Sequence, residues 1–126
     1  MSRRVLLVEH DPDLSQIYSE VMEKSGFVIK RSRGAQHSIT LLDEWEADVI
    51  VLDLGLPGNS GIEVLHELQS YDDWSSIPVI ALTNVRPEHY PLDDADWADY
   101  GVHTVLYRPT IRPADLVSLV LGIKGS

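Results

Sequence analysis

Residues Val49 to Leu65 read VIVLDLGLPGNSGIEVL. Four apolar residues, Val49 to Leu52, come first and end at a single carboxylate, Asp53. A continuous apolar run of this kind indicates a strand covered on both faces, as in a parallel sheet. The residues that predict a turn after it are Gly55, Pro57, Gly58 and Gly61. A helical pattern begins directly after that turn, so the acid lies at the carboxyl end of a strand, where open α/β sheets bind ligands.

The composition indicates one globular domain with an ordinary core. The chain has 126 residues, and 44% of them are hydrophobic. It has no cysteine, which excludes disulfides, thiolate metal sites and cysteine nucleophiles. No apolar run approaches the ~20 residues that span a bilayer, and acids follow the first apolar run too closely for a signal peptide. We therefore expect a cytoplasmic protein that does not enter a membrane.

The charge of the chain bears on its partners. The formal net charge is −10, with 20 acidic residues against 10 lysines and arginines. Proteins that bind the phosphate backbone of nucleic acids need clustered Lys and Arg, so we expect no direct binding of nucleic acid by this domain. The acidity favours solubility and, where acids are clustered, basic partner surfaces.

Strand and helix signals alternate along the whole chain. Besides the strand at Val49, short apolar runs predict strands at Arg4–Val8, Phe27–Ile29, Pro78–Leu82 and Thr104–Tyr107. A helical pattern follows each strand, although the one between Leu92 and Tyr100 is short and comes after two prolines. Alternation of this kind predicts βαβ units and a parallel sheet. We predict a flavodoxin-like (βα)5 doubly wound α/β fold, with helices on both faces of a five-stranded parallel sheet, as a single domain over residues 1–126 with its core at about 4–123.

Polar residues follow four of the predicted strands. They are Glu9, His10 and Asp11 after the first strand, Asp53 after the third, Thr83 and Asn84 after the fourth, and Arg108 after the fifth. Parallel strands share one carboxyl edge, so these side chains should converge on one crevice. Carboxylates suit a hard divalent cation such as Mg²⁺, and a hydroxyl with a guanidinium suits a phosphoryl group.

Four segments in this order resemble the response-regulator receiver domain of two-component signalling. They are VLLVEHDPDL, VIVLDLGLPGNSGIEVL, PVIALTN and VLYRPT, and the resemblance extends from Arg4 to Ile123. It implies a phosphoprotein of a phosphorelay that takes a phosphoryl group from a sensor histidine kinase or a phosphotransfer protein. It also implies an output protein partner or a covalently linked effector domain, with a homodimer as an open alternative.

The resemblance assigns roles to five residues. Asp53 matches the phosphoacceptor, which in the family attacks the phosphohistidine of the kinase. Glu9 and Asp53 match acidic ligands of Mg²⁺, and Gly55 matches the position whose backbone carbonyl binds that cation. Thr83 matches the switch hydroxyl that bonds the phosphoryl oxygen, and Asn84 matches a small residue beside the phosphoryl group. The domain is then a signalling module that at most catalyses its own phosphoryl transfer, and not an enzyme.

Three positions depart from the family pattern and mark an atypical variant. His10 replaces the second of two adjacent acids, so Mg²⁺ should bind weakly unless His10 or Asp11 serves as a ligand. Arg108 stands where the family has a lysine. It keeps the positive charge, but its guanidinium group is bulkier and can pair with Asp53. In the family the following proline, here Pro109, comes after a cis peptide bond. Val105 replaces the switch aromatic residue and is stiff at χ1.

Two other functions remain open from the sequence. The three departures favour a pseudo-receiver, a binding module whose output does not depend on phosphate. A small phosphotransferase of the haloacid dehalogenase type would also use an aspartate after a strand, but it needs a second acid where this chain has Gly55. The acidic segment from Val85 to Tyr100 corresponds to part of the family's output face, and its charge favours a basic partner.

Overall fold

The computed structural model describes residues 3–56 and 61–123 of the chain. Its five strands are β1 (Arg4–Val8), β2 (Val28–Ser32), β3 (Val49–Asp53), β4 (Val79–Thr83) and β5 (Val102–Tyr107). All neighbouring pairs are parallel, and the strand order is β2-β1-β3-β4-β5. The predicted five-stranded parallel α/β fold is therefore confirmed.

The helices alternate with the strands, except that two helices lie between β3 and β4. The helices are α1 (Pro12–Lys24), α2 (Ala35–Glu44), α3 (Gly61–Gln69), α4 (Asp72–Ser75), α5 (Asp94–Asp99) and α6 (Pro113–Gly122). Asp11, a residue type that favours the N-cap position, begins helix α1: its carboxylate accepts hydrogen bonds from the backbone N–H groups of Asp13 and Leu14. Gly26 follows the helix with a φ of 94°, a conformation that glycine adopts without strain.

Alternate residues of each strand pack into two cores, one on each face of the sheet. Leu6 and Val8 of β1 face a core shared with α2 to α5, whereas Val5 and Leu7 face a core shared with α1 and α6. All five residues of β3 are buried, as the continuous apolar run predicts for a strand covered on both faces. The arrangement fixes β1 and β3 at the centre of the molecule, next to each other.

Some predicted boundaries shift in the folded chain. Strand β2 extends to Ser32, and β5 begins at Val102, because pairing with β1 and β4 extends each ladder beyond its apolar run. Helix α5 is shorter than the predicted segment: Asp93 caps it and Gly101, with a φ of 75°, follows its end. The predicted turn residues Pro57 and Gly58 lie outside the described residues.

The expected cis peptide bond before Pro109 is wrong, since no cis bond occurs within residues 3–56 and 61–123. Residues Arg108–Thr110 form a 3-10 turn that closes with a hydrogen bond from the N–H of Ile111 to the carbonyl of Arg108. Proline fits the second position of such a turn with a trans peptide bond before it. The trans isomer of an X–Pro bond is favoured over the cis isomer by about 0.5–1 kcal/mol.

None of the helices in the described part of the chain has the length and apolar composition to cross a bilayer.

Candidate functional site

The register of the central strands brings the two key carboxylates together. Val8 of β1 pairs with Leu52 of β3, so the residues that follow each strand lie side by side at the carboxyl edge of the sheet. There the side chains of Glu9 and Asp53 are 0% and 1% exposed, and one ligand atom each of Glu9, His10 and Asp53 lies within 4.8 Å of the others. This edge is the crevice that the sequence predicts.

Both oxygens of Asp53 have donors. Oδ1 accepts a hydrogen bond of 2.8 Å from the N–H of Gly55 and lies 3.2 Å from Nη2 of Arg108. Oδ2 lies 2.5 Å from Nδ1 of His10. Burial raises the pKa of Asp53, but the Gly55 N–H, the Arg108 charge and the His10 hydrogen bond outweigh it and hold that pKa below its usual value. Asp53 is thus kept ionised, as a nucleophilic carboxylate must be.

The second carboxylate, Glu9, is held differently. Its Oε2 accepts a hydrogen bond of 3.1 Å from the N–H of Asp11 and lies 3.4 Å from Nδ1 of His10. Its Oε1 lies 2.5 Å from Nη2 of Arg108. Burial, together with the nearby charge of Asp53, raises the pKa of Glu9 to about 7 despite that arginine. The two carboxylates of the pocket therefore have opposite electrostatic environments.

Arg108 contacts both carboxylates through one nitrogen. Its side chain is 11% exposed, and its Nη2 lies between Oε1 of Glu9 and Oδ1 of Asp53. These contacts are ionic, because within the described chain Nε and Nη2 of Arg108 and Oε1 of Glu9 are buried without a hydrogen bond of acceptable geometry. Nη2 is therefore engaged in two ion pairs, and Nε is a buried donor without a hydrogen-bond partner in the described chain.

The predicted switch hydroxyl does not contact the carboxylates. Thr83 is buried at the end of β4, and its Oγ1 accepts from the N–H of Val85 at 2.9 Å and donates to the carbonyl of Val85 at 3.0 Å. Asn84 is exposed at the rim. The structure thus places both residues at the predicted edge, with the hydroxyl committed to the following loop.

Two further predicted positions lie apart from the carboxylates. The side chain of Asp11 caps α1 and is absent from the cluster of ligand atoms in the described residues, so its capping role is the one the structure supports. Val105 is half-buried and packs against the core on the α2 to α5 face.

Sequence reasoning missed a contact between the loop after β4 and the last strand. The guanidinium of Arg86 lies 5.1 Å from the ring centre of Tyr107, within cation–π range. Tyr107 pairs with Thr83 across β4 and β5, which brings the ring next to the loop that holds Arg86. The available signal was a basic residue three positions after the switch hydroxyl, together with an aromatic at the end of β5.

The donors only partly suit a divalent cation. Glu9 and Asp53 supply carboxylates, and His10 supplies a nitrogen where Mg²⁺ prefers oxygen. Nη2 of Arg108 already lies against both carboxylates, so a cation there would meet a resident positive charge. The side chains present therefore do not fit an ordinary Mg²⁺ site.

Comparison with known proteins identifies what the domain resembles. The family model of the response regulator receiver domain matches residues 5–120. The phosphate regulon transcriptional regulatory protein PhoB of Escherichia coli (strain K12) is 34% identical over 123 residues, which are 98% of this chain and 52% of PhoB. The polar-differentiation response regulator DivK of Brucella anthropi is 34% identical over 83 residues, 66% of this chain and 68% of DivK. The chain thus spans about half the length of PhoB.

Solved structures share the fold. The chemotaxis response regulator CheY4 of Vibrio cholerae superimposes with a TM-score of 0.83 and 18% sequence identity, over 97% of this chain and 98% of CheY4. At that identity the likeness establishes the fold alone, and it agrees with the strand order described above.

Proposed function

This chain belongs to the response regulator receiver domain family, and from that premise we propose that Asp53 accepts a phosphoryl group from a histidine kinase or a phosphotransfer protein. The observation that carries the proposal is the environment of Asp53, whose buried carboxylate is kept ionised by Gly55, His10 and Arg108. Receiver domains are signalling domains, so the domain is proposed to catalyse at most its own phosphoryl transfer.

The two oxygens of Asp53 differ in their access to a donor. Oδ1 is held from within the pocket by the Gly55 N–H and the nearly buried Arg108. Oδ2 is covered by His10, whose side chain is 37% exposed, and we propose that this side chain turns outward when a donor binds. We therefore assign Oδ2 as the nucleophile.

The transfer follows from that assignment. Oδ2 gives an electron pair to phosphorus, and the P–N bond of the donor phosphohistidine breaks. The bonding pair returns to the donor imidazole, which leaves neutral when its other nitrogen carries a proton. Catalysis of this kind rests on position and charge, because the transition state spreads negative charge over the phosphoryl oxygens.

Three residues at the same edge are proposed to hold the phosphoryl group. Arg108 can donate to two of its oxygens, since a guanidinium matches phosphate geometry. Thr83 would release the backbone of Val85 and turn its hydroxyl inward, and Asn84 would lie beside the group at the rim. Glu9, Asp53 and the carbonyl of Gly55 are the groups that would hold Mg²⁺, and because Arg108 already lies against both carboxylates we propose that it binds weakly at most.

The output is proposed to pass through protein contacts. The face formed by the 3-10 turn Pro87–His89, α5 and the start of β5 has a groove lined by Glu88, Asp93, Asp94 and Asp96. Those acids favour a basic surface on the output partner, on a linked effector domain or on a second copy of the domain. The location is proposed to be the cytoplasm, where a receiver meets its phosphodonor, and residues 1–126 are proposed to be one receiver domain.

One observation favours a second candidate, a pseudo-receiver that works without phosphate. Nδ1 of His10 lies 2.5 Å from the oxygen assigned as nucleophile, and Arg108 pairs with the other oxygen. If those contacts persisted in the presence of a donor, Asp53 would be closed to it.

Intact-mass measurement with a small phosphodonor separates the two candidates. The protein is incubated with acetyl phosphate and millimolar Mg²⁺, acetate leaves as the P–O bond breaks, and Asp53→Asn is the control. A labile adduct of one phosphoryl group that is lost in the variant supports the receiver. Absence of any adduct supports the pseudo-receiver, and steady hydrolysis of diverse phosphoesters would indicate an enzyme of the haloacid dehalogenase type.

A further inference from the structure

We infer that Arg108 takes the place of the divalent cation, so that Asp53 accepts a phosphoryl group without Mg²⁺. The inference rests on the proposed function, since it concerns the same transfer. It makes Arg108 a catalytic residue that contacts both the attacking carboxylate and the incoming phosphoryl group.

The charges of the pocket are the first argument. In the family pattern, three acids and one lysine leave two negative charges, which a divalent cation offsets. Here His10 stands in place of one acid, so Glu9 and Asp53 carry two negative charges at most and Arg108 carries one positive charge. The pocket therefore has at least one negative charge fewer than the family pattern for a cation to neutralise.

The position of the guanidinium is the second argument. Nη2 of Arg108 lies 2.5 Å from Oε1 of Glu9 and 3.2 Å from Oδ1 of Asp53, bridging the two carboxylates that would otherwise share a metal ion. In a buried site this attraction is screened much less than at the surface. Arg108 thereby does for the carboxylates what the cation does in an ordinary receiver, which is to relieve their mutual repulsion.

An unpaired donor of Arg108 is the third argument. Nε is buried and has no hydrogen bond within the described chain, whereas Nη2 is engaged by the two carboxylates. A buried donor without an acceptor costs free energy, so a phosphoryl oxygen that reaches Nε displaces no existing hydrogen bond there. Because the guanidinium is planar and forked, it can contact the carboxylate and the phosphoryl oxygens together.

His10 fits the same arrangement. It lies 2.5 Å from Oδ2 of Asp53 and 3.4 Å from Oε2 of Glu9, where the family pattern has a further carboxylate. A neutral or protonated imidazole adds no negative charge, so it does not restore the demand for a cation. Arg108 and His10 thus contact different oxygens of Asp53, and neither adds a negative charge to the pocket.

The test compares the rates at which acetyl phosphate labels the protein in a metal-free buffer and in a buffer that contains Mg²⁺. The wild-type protein is incubated with acetyl phosphate in excess EDTA or in millimolar Mg²⁺, and the adduct is followed by intact mass. We expect the two rates to agree within about twofold, and Arg108→Gln to slow labelling in EDTA on the order of 100-fold, as loss of a preorganised donor does. Arg112→Gln, which removes an exposed arginine four residues away, should leave the rate unchanged.

A second variant restores the family pattern and gives a readout other than phosphorylation. In the double variant His10→Asp with Arg108→Lys we expect Mg²⁺ to raise the thermal unfolding temperature and to bind measurably in calorimetry, because binding to the folded state stabilises it. The wild-type protein should show neither effect at the same concentration. Labelling of the double variant should then require Mg²⁺.

The outcomes separate this inference from the proposed function. Wild-type labelling that requires Mg²⁺ and is lost in Asp53→Asn would overturn the role of Arg108 and leave Asp53 as phosphoacceptor. Absence of wild-type labelling under both conditions, with labelling of the double variant in Mg²⁺, would overturn both and identify a pseudo-receiver. Absence of labelling in every variant would also overturn both.

Discussion

Nδ1 of His10 lies 2.5 Å from Oδ2 of Asp53, so the more accessible oxygen of the proposed phosphoacceptor is bonded to a side chain from the neighbouring strand end. One of the two atoms must carry a proton at that distance, because two lone pairs would repel. Since Asp53 is kept ionised, the proton belongs on the imidazole. His10 therefore covers the oxygen that we propose as the nucleophile.

Removal of this cover should speed phosphorylation by small donors. A hydrogen bond to a charged group is worth about 1.5–3 kcal/mol, and its loss raises the reactivity of the carboxylate that accepted it. Part of this gain is offset because His10 is partly exposed, so we expect His10→Ala to label several-fold faster with acetyl phosphate. His37→Ala, an exposed histidine on α2, is the matched control. A rate equal to or below wild type would contradict the role of His10 as a cover.

The pKa of Glu9 predicts a pH dependence of stability. Burial and the charge of Asp53 raise it from 4.5 to about 7, so the folded state retains this proton to a higher pH than the unfolded chain. Stability is therefore full below pH 4.5 and falls as the pH rises to 7, at about 1.4 kcal/mol for each pH unit.

Glu9→Gln cannot ionise, so it should lose this dependence. We expect the stability of the variant relative to wild type to rise between pH 4.5 and 7 by on the order of 3 kcal/mol, measured by urea unfolding in EDTA. Glu88→Gln, at an exposed position, should keep a constant difference. A constant difference for Glu9→Gln as well would show that Glu9 is ionised throughout that range.

The hydroxyl of Thr83 should report phosphorylation through the loop it holds. Thr83→Ala removes two hydrogen bonds to Val85 and should cost about 1 kcal/mol of stability, because water can reach that half-exposed loop. Thr83→Ser keeps the hydroxyl and is the control. In wild type, phosphorylation should shift the NMR signal of the Val85 amide as the hydroxyl turns away. An equal shift in Thr83→Ala would exclude this coupling.

Gly61 should not tolerate a side chain. A Cβ at this position would lie 2.5 Å from Cα of Leu54 and 3.0 Å from the carbonyl oxygen of Asp53. Relief of such overpacking costs about 1–3 kcal/mol, and the displaced backbone would carry Asp53 with it.

We therefore expect Gly61→Ala to lower both the thermal unfolding temperature and the labelling rate. Gly122→Ala, also in a helix, meets no atom within 4 Å and should be neutral or slightly stabilising. Wild-type stability of Gly61→Ala would mean that Leu54 lies farther from the start of α3.

Much of the fold could be read from local patterns. The apolar run from Val49 to Leu52 predicts a strand buried on both faces, and Asp11 with Pro12 predicts the start of α1, because these effects depend on near neighbours. The lengths of β2 and β5 could not be read in this way, since pairing with neighbouring strands extends them.

The chain alone determined which residues would reach the carboxyl edge, because the end of each apolar run fixes where its strand stops. Only the tertiary structure decided how those residues pair. Arg108, after β5, reaches Glu9, after β1, across the two intervening strands β3 and β4. Thr83 bonds to Val85, and Arg86 contacts Tyr107. Such contacts depend on distances of a few ångströms between segments far apart in sequence, and Coulomb and hydrogen-bond energies change steeply over those distances. The sequence therefore identifies Asp53, and the fold decides that Nη2 of Arg108 lies between Asp53 and Glu9.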